Sequence, residues 1–297
     1  MRIIVTGAGG LLGGRLASVL AERHEITGMI RTHLAPSGVA SQTMDLADAE
    51  AIGSSLRDLR PDVVVHCAAL ADAEICERDP ARAGRENETA TRNVARACRR
   101  AGARLIAIST DLVFEGATAF ADEDTPPRPI MEYGRSKLRA EAAAMAEAPG
   151  SVVLRVALIH GRGHGLRRTA SESIADRLAM GETVTLYDDE WRSPVDPESV
   201  ATAVEGAAQS PRAAGIYHVA GPERLTRLEF GQRVAAALGL NAGLLRRASQ
   251  SSHRGAPRPR DVSLNITRAR TGLRYAPRAL HPGILESRGY RVISEAP

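Results

Sequence analysis

Apolar positions in the first half of the chain alternate between two rhythms. Arg2-Ile3-Ile4-Val5-Thr6 is a short β-branched run that reads as a buried strand. Leu11, Leu12, Leu16, Val19 and Leu20 then recur at helical spacing. The same exchange repeats along the chain. Strands are expected at Glu25–Ile30, Val63–Cys67, Arg104–Ile108 and Ser151–Val156. Between them, helical patterns start at Asp48, a plausible N-cap, run from Pro80 to Gly102 with Val94, Ala95 and Cys98 inward, and run from Tyr133 to about Ala148. Strand and helix in strict alternation predict an α/β fold built on a doubly wound parallel sheet.

Past His160-Gly161-Arg162-Gly163 the alternation stops. A helix carrying Ile174, Leu178 and Ala179 precedes a short strand, Thr183–Tyr187. Asp196 can cap a helix with Pro197 at its first position. Gly215–Val219 is another strand, and Thr226-Arg227-Leu228-Glu229 is a capping box with Leu225 and Phe230 set for a hydrophobic staple. Residues 249–260, rich in Ser, Gly, Pro and Arg, read as loop. The expected division is a dinucleotide-binding domain over 1–160 and a smaller substrate-binding lobe over 161–297.

Composition narrows the function only by exclusion. Of 297 residues, 43% are hydrophobic and 25% charged, and the net charge of +4 comes from scattered arginines without a like-charge run. That favours a small anionic ligand over a nucleic acid. Cys67, Cys76 and Cys98 have no metal-ligand spacing, and their odd number argues against a disulfide framework. With no signal peptide and no apolar run long enough to span a bilayer, a cytoplasmic protein off the membrane is expected.

The candidate chemistry sits at strand ends. The first strand runs into Gly7-Ala8-Gly9-Gly10-Leu11-Leu12-Gly13 and then a helix, the context in which glycines cradle a pyrophosphate. This is a Rossmann dinucleotide turn. Arg31 ends the second strand where an acidic residue would bind the ribose of NAD, so a 2′-phosphate and NADPH are expected. Ala68 and Ala69 are small enough for a flat cofactor to lie against them, and His66 reads as a core histidine. Ser109, Thr110 and Asp111 close the fourth strand at the ligand-binding edge. Tyr133 and Lys137 share a helix face, where the ammonium is expected to pull the phenol towards neutrality and make it a proton donor.

Gly7, Gly10, Gly13, Asn87, Ser109-Thr110 and Tyr133-x-x-x-Lys137, in this order, resemble the extended short-chain dehydrogenase/reductases. Ser109-Thr110-Asp111-x-Val113-Phe114-x-Gly116 and Arg258-Pro259-Arg260-Asp261-Val262-Ser263-Leu264 resemble, more narrowly, the dTDP-4-dehydrorhamnose reductase group. The resemblance implies hydride transfer from NAD(P)H to a keto group on a nucleotide-linked deoxysugar. It implies Tyr133 as general acid, Lys137 as its tuner and ribose ligand, Thr110 on the carbonyl oxygen, and Asn87 ordering a water relay. Gly7, Gly9, Gly10, Leu11, Leu12, Gly13, Ala68, Ala69 and Ser109 would line the cofactor, with Asp45 and Leu46 flanking the adenine. Asp111, Leu112, Arg192 and Arg258 would face the substrate, the last suited to a diphosphate. The segment from about 195 to 220 is expected to return to the first domain.

Leu112 stands where the group carries Tyr, and the strand-three turn is also altered, so the substrate stays open. Alternatives are an epimerase, a ketoreductase of a non-nucleotide substrate, and an NADP-binding regulatory subunit of the methionine adenosyltransferase type. The dehydratases carry Glu after Thr-Asp, where this chain has Leu112. Some group members dimerise through a metal held by glutamates. No such glutamates are matched here, so no metal is expected and a homodimer stays open.

Overall fold

A computed structural model describes residues 1–280; the end of the lobe expected to reach 297 lies outside the described residues. The elements follow in order: β1 (Arg2–Thr6), α1 (Leu11–Leu20), β2 (Glu25–Ile30), β3 (Ala40–Thr43), α2 (Ala49–Leu59) and β4 (Val63–His66). Next come α3 (Ala73–Arg78), α4 (Pro80–Ala83), a π-helical turn (Gly84–Thr89), α5 (Ala90–Ala101), β5 (Arg104–Thr110), α6 (Glu132–Glu147) and β6 (Val152–Val156). The remainder holds α7 (Ala170–Ala179), β7 (Val184–Tyr187), β8 (Trp191–Arg192), α8 (Pro197–Gln209), β9 (Gly215–Val219), β10 (Leu225–Thr226), α9 (Arg227–Ala237), β11 (Leu245–Ala248) and α10 (Thr267–Gly272).

Seven strands form one parallel sheet in the order β3-β2-β1-β4-β5-β6-β9. Period-two alternation sorts its side chains onto two buried faces. Ile3 and Val5 of β1 pack with Leu16, Leu20, Val200 and Val204 from α1 and α8. Ile4, between them, packs with Ile52, Leu56, Val94 and Cys98 from α2 and α5. β9 pairs with β6, so chain that has already passed through the second lobe comes back to close the sheet. The lobe has its own small core, in which Ile174 and Leu178 of α7 meet Leu186, Leu225, Phe230 and Val234.

Local signals set several helix starts. Asp48 caps α2, accepting from the Glu50 and Ala51 amides. Asp196 caps α8 by accepting from Ser199, with Pro197 in the first turn. Thr226 and Glu229 form the reciprocal capping box of α9. The short elements α3, β8, β11 and α10 were not expected from the sequence, and two further departures have a clear cause. β3 is a fully exposed edge strand, Ala40 followed by three polar residues, so it has no apolar rhythm to detect. The helix expected over Pro80–Gly102 is interrupted by the π-helical turn at Gly84–Thr89, which brings Asn87 inward.

Candidate active site

Parallel strands deliver their C-terminal ends to one edge, and the strand order reverses direction between β1 and β4. Ligands bind at such a switch point. A cavity of about 1070 Å³ opens there. That is ample for a dinucleotide and a second ligand beside it, since drug-sized sites hold roughly 300–1,000 Å³. Its walls include Gly7, Gly9, Gly10, Leu11, Leu12 and Gly13 at one end, and Thr110, Tyr133 and Lys137 near the other.

At the glycine end, Gly7 adopts φ of +68°, a left-handed conformation that a side chain would strain, and a Cβ there would meet Ala68 backbone at 2.8 Å. Ala68 and Ala69, packed beside the turn, line the same cavity, as do Asp45 and Leu46. The strap 161–168 lies over the turn. The His164 amide donates to the Leu11 carbonyl (3.1 Å), His164 Nε2 sits 3.2 Å from the Leu34 carbonyl, and Arg167 pairs with Asp72 at 3.3 Å.

The end of β2 carries more charge than the sequence suggested. Arg31 Nη2 donates to Glu86 Oε2 (2.9 Å), while Arg82 Nε donates to the other oxygen of Glu86 (2.8 Å). Arg85 stands 3.7 Å from Asp45. Burial alone would raise the Glu86 carboxyl, but the two arginines hold it below its ordinary range. Arg82, Arg85 and Glu86 were not singled out by sequence, because they come from the segment after β4, more than fifty residues along the chain from Arg31.

At the reaction end, Lys137 is buried and donates to the Ile108 carbonyl (2.8 Å). Burial lowers it to about 8, opposed by the Glu141 carboxylate and the Cys67 thiol. Tyr133 departs from the expectation that its phenol is pulled towards neutrality. Burial, then Asp111 and Cys76, push it above its usual range, and the Thr110 hydroxyl only partly offsets them. Desolvation therefore outweighs the cationic help expected of Lys137. Gly134 explains the close fit of this helix: a Cβ there would lie 2.2 Å from the Leu112 carbonyl oxygen, so only glycine lets α6 seat against the turn that carries Thr110 and Leu112.

Three other expected contacts change meaning. Asn87 is fully buried: its Oδ1 accepts from the Leu70 amide (2.7 Å), and its Nδ2 donates to the Leu70 carbonyl (3.2 Å) and to Ser136 Oγ (2.8 Å). That amide braces the turn after β4 against α6, and in this arrangement it is not free to order a water relay. Ser109 lines the cavity, but its hydroxyl donates to Glu141 Oε1 (2.5 Å), so towards a cofactor it can only accept. Glu141 in turn holds Arg155 through two hydrogen bonds of 3.0 and 2.8 Å, both side chains being 2% exposed.

Arg192 is also committed. It is buried, 2.9 Å from Glu190, and donates to the Trp191 and Pro259 carbonyls. Arg258 makes a two-pronged bond to the same Glu190 (2.7 and 2.9 Å), keeping a third of its side chain exposed on the cavity wall. Burial would raise Glu190, yet Arg192, Arg258 and Arg227 together hold it at about 2. Arg227 Nη1 is buried without a partner among the described residues, as is Asp111 Oδ2, and both residues line the cavity. Burial raises Asp111 to about 6, with Arg192 opposing. Glu190 and Arg227 escaped the sequence reading, since Arg227 looked sufficient as a capping-box spacer. His66 is a core residue as expected, hydrogen-bonded to Thr6 (2.7 Å) and Thr91 (2.9 Å).

Among the described residues, no cluster of His, Cys, Asp and Glu could hold a metal, and no helix is long and apolar enough to cross a membrane.

Comparison with known proteins agrees with this fold. The chain is 32% identical over 272 residues to a probable low-salt glycan biosynthesis reductase, Agl14, of Haloferax volcanii, covering 90% of each. It is 30% identical over 273 residues to the methionine adenosyltransferase 2 subunit beta of Xenopus laevis, covering 90% of this chain and 81% of that one. The crystal structure of a hypothetical dTDP-4-dehydrorhamnose reductase from Sulfolobus tokodaii superposes with a TM-score of 0.83 at 30% identity, covering 95% of this chain and 98% of that one. The model of the RmlD substrate binding domain family matches residues 1–287, and the chain belongs to that family of extended short-chain dehydrogenase/reductases.

Proposed function

We propose that the protein is an NADPH-dependent reductase of a nucleotide-linked 4-keto-6-deoxysugar. The carrying observation is that one cavity joins the glycine turn, with Arg31 beside it, to Thr110, Tyr133 and Lys137. The residues fit a dinucleotide: a left-handed Gly7, small walls at Ala68 and Ala69, and guanidinium groups at the end of β2. Gly7 to Gly13 and the N-terminus of α1 would hold its diphosphate, and Asp45 and Leu46 would flank its adenine.

The dinucleotide, when bound, supplies hydride. Tyr133 hands its proton to the keto oxygen, which Thr110 also hydrogen-bonds. A phenol held above its usual range is a firm proton holder before reaction, and the Lys137 ammonium steadies the phenolate afterwards. Asp111 and Leu112 stand at the sugar edge. Arg258 and the Nη1 of Arg227, which has no partner among the described residues, suit a substrate diphosphate, the feature that favours a nucleotide-linked sugar over a neutral ketone.

The similarity to methionine adenosyltransferase beta subunits favours a second reading, a regulatory dinucleotide-binding protein. One experiment separates the two. NADPH oxidation is followed across a panel of nucleotide 4-ketosugars, with the product's stereochemistry read by NMR. The reductase reading expects turnover that Tyr133→Phe abolishes while NADPH binding persists. Equal activity in that variant would remove Tyr133 as the donor, and no turnover with any sugar would leave the regulatory reading.

A further inference from the structure

An acidic residue that reads a ribose 2′-hydroxyl and an arginine that reads a 2′-phosphate are usually alternatives at the end of the second strand. Here both are present, on different elements. Arg31 occupies the strand-end position, and Glu86 reaches the same wall from the π-helical turn, bridging Arg31 and Arg82. Its side chain is 11% exposed, whereas the two arginines are nearly half exposed. A carboxylate offers about four lone-pair directions, and the two guanidinium bonds use only two of them. Each guanidinium likewise keeps further N–H groups free to turn outwards.

We propose that Glu86 makes the adenosine end of the cleft a dual reader, accepting the ribose 2′-hydroxyl of NADH while Arg31 and Arg82 take the 2′-phosphate of NADPH. The two ligands use different atoms of one charge cluster. With NADH, Glu86 keeps both arginines and gains a neutral donor. With NADPH, the phosphate takes outward N–H groups of Arg31 and Arg82 and makes no contact with Glu86, a like charge. Arg85, paired with Asp45, adds a third cation nearby. The phosphate is therefore preferred without being required. This inference deepens the cofactor part of the proposed function and is independent of which sugar is reduced.

The test is direct titration of the full chain with NADPH and with NADH, followed by ligand fluorescence. The wild type is expected to bind both, NADPH roughly tenfold tighter. Glu86→Gln keeps the shape and removes the charged acceptor. It should weaken NADH roughly five- to tenfold and leave NADPH unchanged or tighter. Arg82→Ala should weaken NADPH roughly tenfold and shift NADH by less than about twofold. A wild type that binds NADPH but ignores NADH at millimolar concentration would overturn the proposal. So would a Glu86→Gln protein that weakens both dinucleotides by one factor, the mark of a merely structural carboxylate. A wild type that binds neither would instead sink the cofactor reading. Failure of every ketosugar to react would leave the binding result intact.

Discussion

Glu141 links the stability of the sheet to the chemistry at its edge, and replacing it with glutamine tests both. The carboxylate lies between Ser109 and Arg155, and the Glu141 and Arg155 side chains are each 2% exposed. In Glu141→Gln the new side chain would turn an amide N–H towards the guanidinium and leave Arg155 charged and unpaired, apart from its place 5.1 Å over the Phe114 ring. Removing one partner of a buried pair costs about 3–5 kcal/mol. For a chain of this length, with an unfolding entropy of about 0.6 kcal/mol/K, the lower figure corresponds to a melting temperature lower by roughly 5 °C. The same substitution removes the charge that holds Lys137 up against its burial. Lys137, at about 8 in the native protein, should then lose its proton at lower pH. Because its ammonium is what steadies the phenolate, the alkaline fall in kcat should begin earlier. The assays are thermal melts and a pH–kcat profile of NADPH oxidation. The double variant Glu141→Leu/Arg155→Met separates the two effects: it should recover most of the stability but keep the displaced alkaline limb. An unchanged melt in Glu141→Gln, or an alkaline limb that stays put or moves upward, would refute the reasoning.

Gly134→Ala should force α6 away from the Leu112 carbonyl, costing about 1–3 kcal/mol by overpacking and lowering kcat more than dinucleotide affinity; melts and steady-state kinetics check it. Acid should destabilise the fold through His66, His160 and His218, which burial lowers to about 3, 4 and 3. Each stays neutral when folded and takes up a proton when unfolded below its ordinary value near 6.5, so stability is lost as pH falls. Urea melts should record a loss on the order of 2 kcal/mol per histidine between pH 6.5 and 5, and a flat profile there would count against their neutral burial. Arg227→Ala should raise KM for a diphosphate-bearing substrate roughly tenfold and leave NADPH titrations unchanged; an equal effect on both ligands would place Arg227 outside the substrate end.

Whatever carries a local rhythm or a local rule is legible in the sequence. β1, β2 and α1 announce themselves by period, Asp48, Asp196 and Thr226 by capping chemistry, and the cofactor turn by its glycines. β3 was invisible because an exposed edge strand has no apolar side to display. The π-helical turn was invisible because its residues still look helical, although it is what brings Asn87 to Leu70 and Ser136. Charge partnerships between distant segments were the other blind spot. Sequence picked out Arg31, Arg192 and Arg258 as cations but could not show that Glu86 and Glu190 lie among them, 55 and 68 residues from Arg31 and Arg258. The electrostatics of Tyr133 failed for a related reason. Spacing places Lys137 on its face, but only the fold reveals how far burial and Asp111 push the other way.

The late arrival of β9 affects how the protein can be made. β6 is buried along its whole length, and its outer partner is a strand more than fifty residues further on, beyond α7, β7 and α8. A ribosome that has released only the first half of the chain therefore exposes an unprotected β6 margin, open to pairing with another nascent chain. Expression of residues 1–160 alone should give aggregates rather than an isolated nucleotide-binding module. A circular permutant opened in the exposed turn near Gly150, which lets β6 and β9 emerge with less chain before them, is the better way to dissect the two halves.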